Sequence, residues 1–179
     1  VGAFTAGSIL TNFLVTFTEG GLRAALIQRE EDVEDAADTV FWVTLVNGVI
    51  MSGLAFAVSP LIGAFFGGDV AGAVCAATAA VLTIHALTNV PDGLMQRRFN
   101  FKRRLIVDPL TAGSFAVVTV TLAFAGFGVW GMVIGLYASQ LATLISCWVM
   151  CKWRPGRTRP SYRIWRELAG FSFPLIVSN

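Results

Sequence analysis

Residues 91–109 read PDGLMQRRFNFKRRLIVDP, five cations (Arg97, Arg98, Lys102, Arg103 and Arg104) set between long runs that carry no charge. On the N-terminal side lie two apolar segments, 39–68 and 70–90, parted by Asp69 alone. On the C-terminal side, the 43 residues 109–151 contain no Asp, Glu, Lys or Arg. At 1.5 Å per helical residue that run would be roughly 64 Å long, about twice a 30 Å hydrocarbon core, so it must cross, turn and cross back. The turn is legible at residues 126–131, GFGVWG. The basic stretch is therefore expected as a loop pinned between two membrane hairpins, and the chain as an all-α, polytopic membrane helix bundle.

Bulk composition agrees with that reading. The chain is 55% hydrophobic and 13% charged, with a mean hydropathy of +0.70, whereas a soluble domain is usually about a quarter charged. Its cysteines, Cys75, Cys147 and Cys151, all sit inside apolar runs and suggest no disulfide framework. With a single histidine and no Cys-x-x-Cys or His-Glu-x-x-His pattern, no metal site and no cofactor are expected. The chain begins without a methionine and stops at Ser178-Asn179, inside an apolar run that starts at Leu168. It is expected to be a piece of a longer protein. Residues 1–18 show no basic leader and no cleavage pattern.

The expected spans are residues 1–18, 39–66, 70–90, 110–126 and 129–151, and 168–179 are expected to begin a further helix. In the first span, Thr5, Ser8, Asn12, Thr16, Glu19 and Arg23 are spaced 3, 4, 4, 3 and 4, which sets them on one helical face. Such a stripe must face other helices or a watery cavity, because unsatisfied polar groups in hydrocarbon cost several kcal/mol. The threonines and Ser8 suit interhelical hydrogen bonds, and Asn12, Glu19 and Arg23 carry the case for a substrate cavity; Glu19 and Arg23 can instead pair with each other. Glu34, Asp35 and Asp38 are expected at the start of the second span, where the helix dipole favours negative charge. Pro60 should kink that span and free a carbonyl one turn earlier for a serine or a neighbouring helix to satisfy. His85 and Asn89 are the strongly polar groups of the third span. His85 is either a proton-coupling group or a side chain reaching interfacial water. In the fifth, Gly131, Gly135, Ser139, Thr143, Cys147 and Cys151 form a small-residue ridge that drifts around the helix by about 40° per step. Trp148, Trp153, Tyr162 and Trp165 flank the exit as an interfacial aromatic belt would.

All 13 Lys and Arg fall in alternate connections: two after the first span, five after the third and six after the fifth. The positive-inside rule then puts those three connections in the cytoplasm and Val1 on the far side, with one more helix expected upstream. Phe99 and Phe101 interleave the cations as in some nucleic-acid sites, but a position between two spans argues against that partner. Topogenic contact with anionic lipid headgroups is the simpler role for Arg97, Arg98, Lys102, Arg103 and Arg104, and capture of a lipid-linked substrate the sharper one.

Residues 21–29 (GLRAALIQR), Pro91 through 94–101 (LMQRRFNF), Gly126 through 129–131 (VWG), and 166–168 (REL) through 171–172 (FS) resemble, in order, the polysaccharide-export flippases. These are the Wzx-like members of the MATE/MurJ-like superfamily, with the likeness strongest to lipopolysaccharide and colanic acid exporters. The resemblance implies a multi-pass protein of the bacterial cytoplasmic membrane, in which residues 1–167 would be a partial N-terminal lobe, most of its six helices, and 168–179 the start of the next. It further implies movement of an undecaprenyl-diphosphate-linked oligosaccharide between leaflets by alternating access of two six-helix lobes, without enzymatic chemistry. Two alternatives stand beside it. A small-molecule antiporter of the same superfamily would need membrane-embedded acids, and the apolar runs hold none. A membrane glycosyltransferase or ligase would need paired carboxylates or a base near its substrate.

The charge pattern makes a topological prediction. In a full-length, otherwise cysteine-free version, Asp69→Cys and Gly128→Cys should be labelled by an impermeant thiol reagent from the periplasm. Labelling only after the inner membrane is permeabilised would reverse the orientation.

Overall fold

The computed structural model describes residues 33–65, 69–97, 101–151 and 153–156, together with Phe4, Thr5, Ser8, Ile9, Thr11, Phe13, Leu14, Val15, Leu26 and Arg166. Uncharged runs of this length leave backbone groups in hydrocarbon no partner but one another, and the described chain is built from helices. These are α1 (Val33–Phe65), α2 (Asp69–Ala79), α3 (Val81–Arg97), α4 (Phe101–Phe124) and α5 (Val129–Met150). Among the described residues four helical paths are long and apolar enough to cross a membrane: Val33–Phe65, Val70–Gln96, Leu105–Phe124 and Val129–Met150. The protein is thus an all-α, multi-pass bundle. α1 packs on α2 and α3, α5 bridges α3 to α4, and α4 packs mainly on α5.

The helices extend beyond the apolar runs that announce them. α1 starts at Val33 rather than residue 39, because Glu34 and Asp35 in its first turn complement the dipole and the Thr39 hydroxyl donates to the Asp35 carbonyl at 2.9 Å. At 33 residues it is roughly 50 Å long, so its acidic start can lie outside the hydrocarbon. The basic stretch is mostly helical rather than a loop. α3 runs through Pro91 to Arg97, and α4 already begins at Phe101, with Lys102, Arg103 and Arg104 in its first turn and Pro109 inside it.

Two of the prolines inside these helices, Pro60 and Pro91, strip a backbone carbonyl that a side chain then supplies. Pro60 has no N–H to give the carbonyl of Phe56, and the Ser59 hydroxyl donates to it at 2.7 Å. Pro91 likewise strips the Leu87 carbonyl, which receives the indole N–H of Trp148 from α5 at 3.1 Å. Between α2 and α3 the helix breaks at Ala80, whose carbonyl takes the N–H groups of both Thr83 and Ile84. In the turn just before that break, the Tyr137 hydroxyl of α5 donates to the Ala77 carbonyl. One helix, α5, thus bonds a carbonyl on each side of the Ala80 break.

On another side, small residues bring α5 close to α4. A Cβ on Gly131 would stand 3.1 Å from Leu122 Cβ, and one on Gly135 would collide with Thr119 Oγ1. Farther along the same ridge, Thr143 Oγ1 meets Thr111 Oγ1 at 2.6 Å, and Cys147, fully buried, packs against both Val107 of α4 and Met95 of α3. The ridge has by then wound far enough to touch a second helix. At its foot, Trp148 and Trp153 stand edge-on to Phe41 of α1, with ring centroids at 6.1 and 5.6 Å. Trp153 is buried there rather than placed as a lipid-facing belt residue, while Tyr162 and Trp165 lie outside the described residues. Arg154 lies 5.7 Å over the Trp148 ring, and its Nη1 reaches the carbonyls of Trp148, Cys151 and Trp153 at 2.9–3.0 Å, capping α5. The fully buried Asp38 accepts the Gly156 N–H at 3.3 Å and ties the start of α1 to the same foot. At the opposite end, Gly126 at φ 85° closes α4 in a Schellman turn, with Phe127 N–H on the Leu122 carbonyl at 3.0 Å and Gly126 N–H on that of Ala123 at 3.1 Å.

Removing the donor of a proline-freed carbonyl should destabilise the bundle, and removing the proline should repair it. Trp148→Phe in the full-length protein is expected to cost about 1–3 kcal/mol in detergent unfolding. Pro91→Ala, which returns an N–H to Leu87, should recover about 1 kcal/mol in the Trp148→Phe background. It should recover little in the wild type. Additive effects of the two changes would show that Trp148 and Pro91 are not coupled.

Candidate functional site

Of the six-residue polar stripe, Thr5 and Ser8 are described; Asn12, Thr16, Glu19 and Arg23 lie outside the described residues. Thr5 is exposed, whereas Ser8 is buried and donates to the Thr5 carbonyl at 3.2 Å. The N-terminal segment buries Ser8, Thr11 and Leu14, leaving Ile9 and Phe13 exposed. Leu14 and the half-buried Val15 pack with Ala55, Ala79, Leu82 and Met51, so Leu14 belongs to the helix contact although it stands off the polar stripe. Thr11 Oγ1 lies 3.0 Å from Thr78 Oγ1. Thr78 has its own hydrogen directed at the Val74 and Cys75 carbonyls, at 2.9 and 3.2 Å, which makes Thr11 the donor. Of the two described stripe residues, Thr5 is thus on the exposed side of the segment and Ser8 on the buried one.

The cations of the basic stretch are split by the fold. Arg97 closes α3, Lys102, Arg103 and Arg104 open α4, and Arg98 lies outside the described residues. The same stretch opens on Pro91-Asp92 and closes on Asp108-Pro109, and the fold brings these two aspartates to one cleft. The cleft measures about 410 Å³ and lies among α3, α4 and α5, lined by Asp92, Asp108, Thr111, Ser139 and Thr143 with Val107, Ala112 and Phe115. Gln96 Nε2 donates to Asp92 Oδ2 at 3.3 Å. Thr111 and Thr143 reach the carbonyls of Val107 and Ser139 at 2.9 and 3.0 Å as well as each other, three contacts for two hydroxyl hydrogens. The wall is thus rich in acceptors.

Sequence reasoning passed over Asp92 and Asp108 in favour of the cations between them. The mirrored Pro-Asp and Asp-Pro pairs were the available signal, but only the α3–α4–α5 packing shows that they share a cleft. His85 is half-buried in α3, and Asn89, one turn on, is 2% exposed. No group of three or more His, Cys, Asp or Glu side chains among the described residues could hold a metal ion.

Comparison with known proteins adds identity to this geometry. The sequence matches the family described as "Polysaccharide biosynthesis protein" over residues 2–179. It is 24% identical over 178 residues to the succinoglycan biosynthesis transport protein ExoT of Rhizobium meliloti (strain 1021), covering 99% of this chain and 36% of that protein. The chain therefore spans about a third of the length of this curated relative. No solved structure matches.

The geometry separates a packing threonine from the polar stripe. Thr11→Val should lower stability by only about 0.6 kcal/mol, the average for an interhelical hydrogen bond in a membrane, and leave activity per folded molecule unchanged. A loss of activity at unchanged stability would place Thr11 in a working site instead.

Proposed function

This chain belongs to the polysaccharide biosynthesis protein family, and on that premise we propose that it is part of a flippase. The full-length protein would move an undecaprenyl-diphosphate-linked oligosaccharide across the bacterial cytoplasmic membrane for surface polysaccharide assembly. The observation that carries this reading is the match along nearly the whole chain to a succinoglycan transport protein. The membrane-length helices supply the setting, and the residues fit the chemistry of such a cargo. A diphosphate and a sugar need a hydrated, partly cationic path, while a polyprenyl tail can remain in lipid.

In this reading the polar stripe of the N-terminal segment lines the path, and the bundle and the remainder of the protein open alternately to each leaflet. Arg23, at the cytoplasmic end of the stripe, clamps the diphosphate with its planar fork of donors. Asn12, near mid-membrane, meets sugar hydroxyls, and Thr5, Ser8, Thr16 and Glu19 complete the stripe. The cations from Arg97 to Arg104 hold the cytoplasmic face against anionic headgroups. His85 is the proton-coupling candidate of α3.

The test is flipping of lipid-linked oligosaccharide by the full-length protein, normalised to the amount in the membrane. Arg23→Lys should transport partially, having kept the charge and lost the bidentate fork, and Arg23→Ala should be worse. Asn12→Leu should impair transport without unfolding the bundle. Ile9→Ala and Phe13→Ala, exposed and off the stripe, should transport normally. Normal transport by the Arg23 and Asn12 variants, with failure of Ile9→Ala and Phe13→Ala, would turn the opposite face toward the cargo.

A further inference from the structure

Most buried hydroxyls among the described residues are satisfied in one way. Thr44, Thr78 and Thr88 are all buried, and each hydroxyl donates to a carbonyl one turn back in its own helix, Val40, Val74 and Ile84, at 2.8, 2.9 and 3.0 Å. Such bonds need no partner from another helix. Asn89 has no such solution. It is 2% exposed, and neither Oδ1 nor Nδ2 makes a hydrogen bond. A carboxamide offers two donor hydrogens and an acceptor oxygen, and leaving all of them bare forfeits their full hydration. An asparagine kept at such a position contributes nothing to this packing that leucine would not supply better.

The surrounding backbone gives the amide a way out. Asn89 belongs to the ten-residue piece 81–90, which the break at Ala80 bounds on one side and Pro91 on the other. At both ends the helical ladder is interrupted, and at each end a single hydrogen bond from α5 steadies it: Tyr137 on the Ala77 carbonyl and Trp148 on that of Leu87. One turn before Asn89, α1 presents no side chain, only Gly48 against Ala86. A short helical piece between two discontinuities can turn about its axis without unwinding its neighbours, which is how proline and helix breaks serve as hinges.

We propose that Asn89 is a cargo-contacting residue that is turned inward in this conformation. Rotation of the 81–90 piece brings its amide into the transport path, where it exchanges hydrogen bonds with the hydroxyls of a saccharide. The inference rests on the flippase reading and assigns that activity a contact residue outside the polar stripe. In the inward state the bare amide raises the energy of the closed interior, so cargo hydroxyls both reward and report the rotation.

The experiment uses the full-length protein with Asn89→Leu, Asn89→Ala and Asn89→Gln. It measures the unfolding midpoint without cargo and, separately, flipping of a lipid-linked oligosaccharide per folded molecule. Asn89→Leu should unfold at the wild-type temperature or above it, yet flip about tenfold more slowly, the equivalent of ~1.4 kcal/mol. Asn89→Ala should be similarly slow, and Asn89→Gln, which retains the amide, should recover part of the rate. Wild-type flipping by the Leu and Ala variants would overturn the inference and leave the flippase reading standing. A lowered midpoint in both would make Asn89 a structural residue, which also overturns it. A wild-type protein that moves no lipid-linked saccharide would fail both readings at once.

Discussion

Inside hydrocarbon a backbone carbonyl that loses its donor cannot turn to water, and this chain places Pro60, Pro91, Pro109 and a break at Ala80 in its membrane helices. At the first two prolines and beside the break, a side chain reaches a carbonyl. The Ser59 contact is local, made within the turn that Pro60 disrupts. The other two are tertiary: Tyr137 and Trp148, eleven residues apart on α5, reach the Ala77 and Leu87 carbonyls on either side of the Ala80 break. On its other side, Gly131 and Gly135 bring α5 against α4. The bundle is thus organised around one helix that satisfies its neighbours' missing hydrogen bonds. Arg154, Trp153 and Phe41 then close the foot of that helix against α1.

This arrangement separates the polar groups into kinds. Buried threonines bond to their own helices or, as with Thr11 and Thr111, to one threonine across a helix contact. These groups hold the bundle together and are spent. Asp92 and Asp108 line a cleft at the basic end, beside the helix termini that carry Arg97 and Lys102 to Arg104. Asn89 is buried with neither atom of its amide bonded.

The features legible in the sequence were those set by the solvent. Uncharged runs located the spans, the glycines at 126 and 128 located a turn that needs positive φ, and Ser59 before Pro60 announced its own repair. Helix ends were not legible, because apolarity marks where hydrocarbon lies and not where a helix stops. α1 and α4 start six and nine residues before the apolar runs that betray them. Pro91 looked like a boundary, since the donor that lets α3 continue through it is Trp148, 61 residues away. The packing of Leu14 was not legible, because a polar stripe fixes one face of a helix and says nothing of which other face packs. The shared cleft of Asp92 and Asp108 depends on how three helices meet, which neither periodicity nor composition encodes.

The most direct test of this account concerns the indole proton of Trp148 in the full-length protein in lipid bilayers. Hydrogen exchange at tryptophan indoles can be followed by NMR, with each of the five tryptophans assigned by substitution. If Trp148 caps the Leu87 carbonyl, its indole proton should resonate as a hydrogen-bonded one and exchange far more slowly than that of the exposed Trp42. Pro91→Ala, which gives Leu87 a backbone donor, should speed its exchange. Exchange at Trp148 as fast as at Trp42, and indifferent to Pro91→Ala, would contradict the claim that α5 holds the broken helix together.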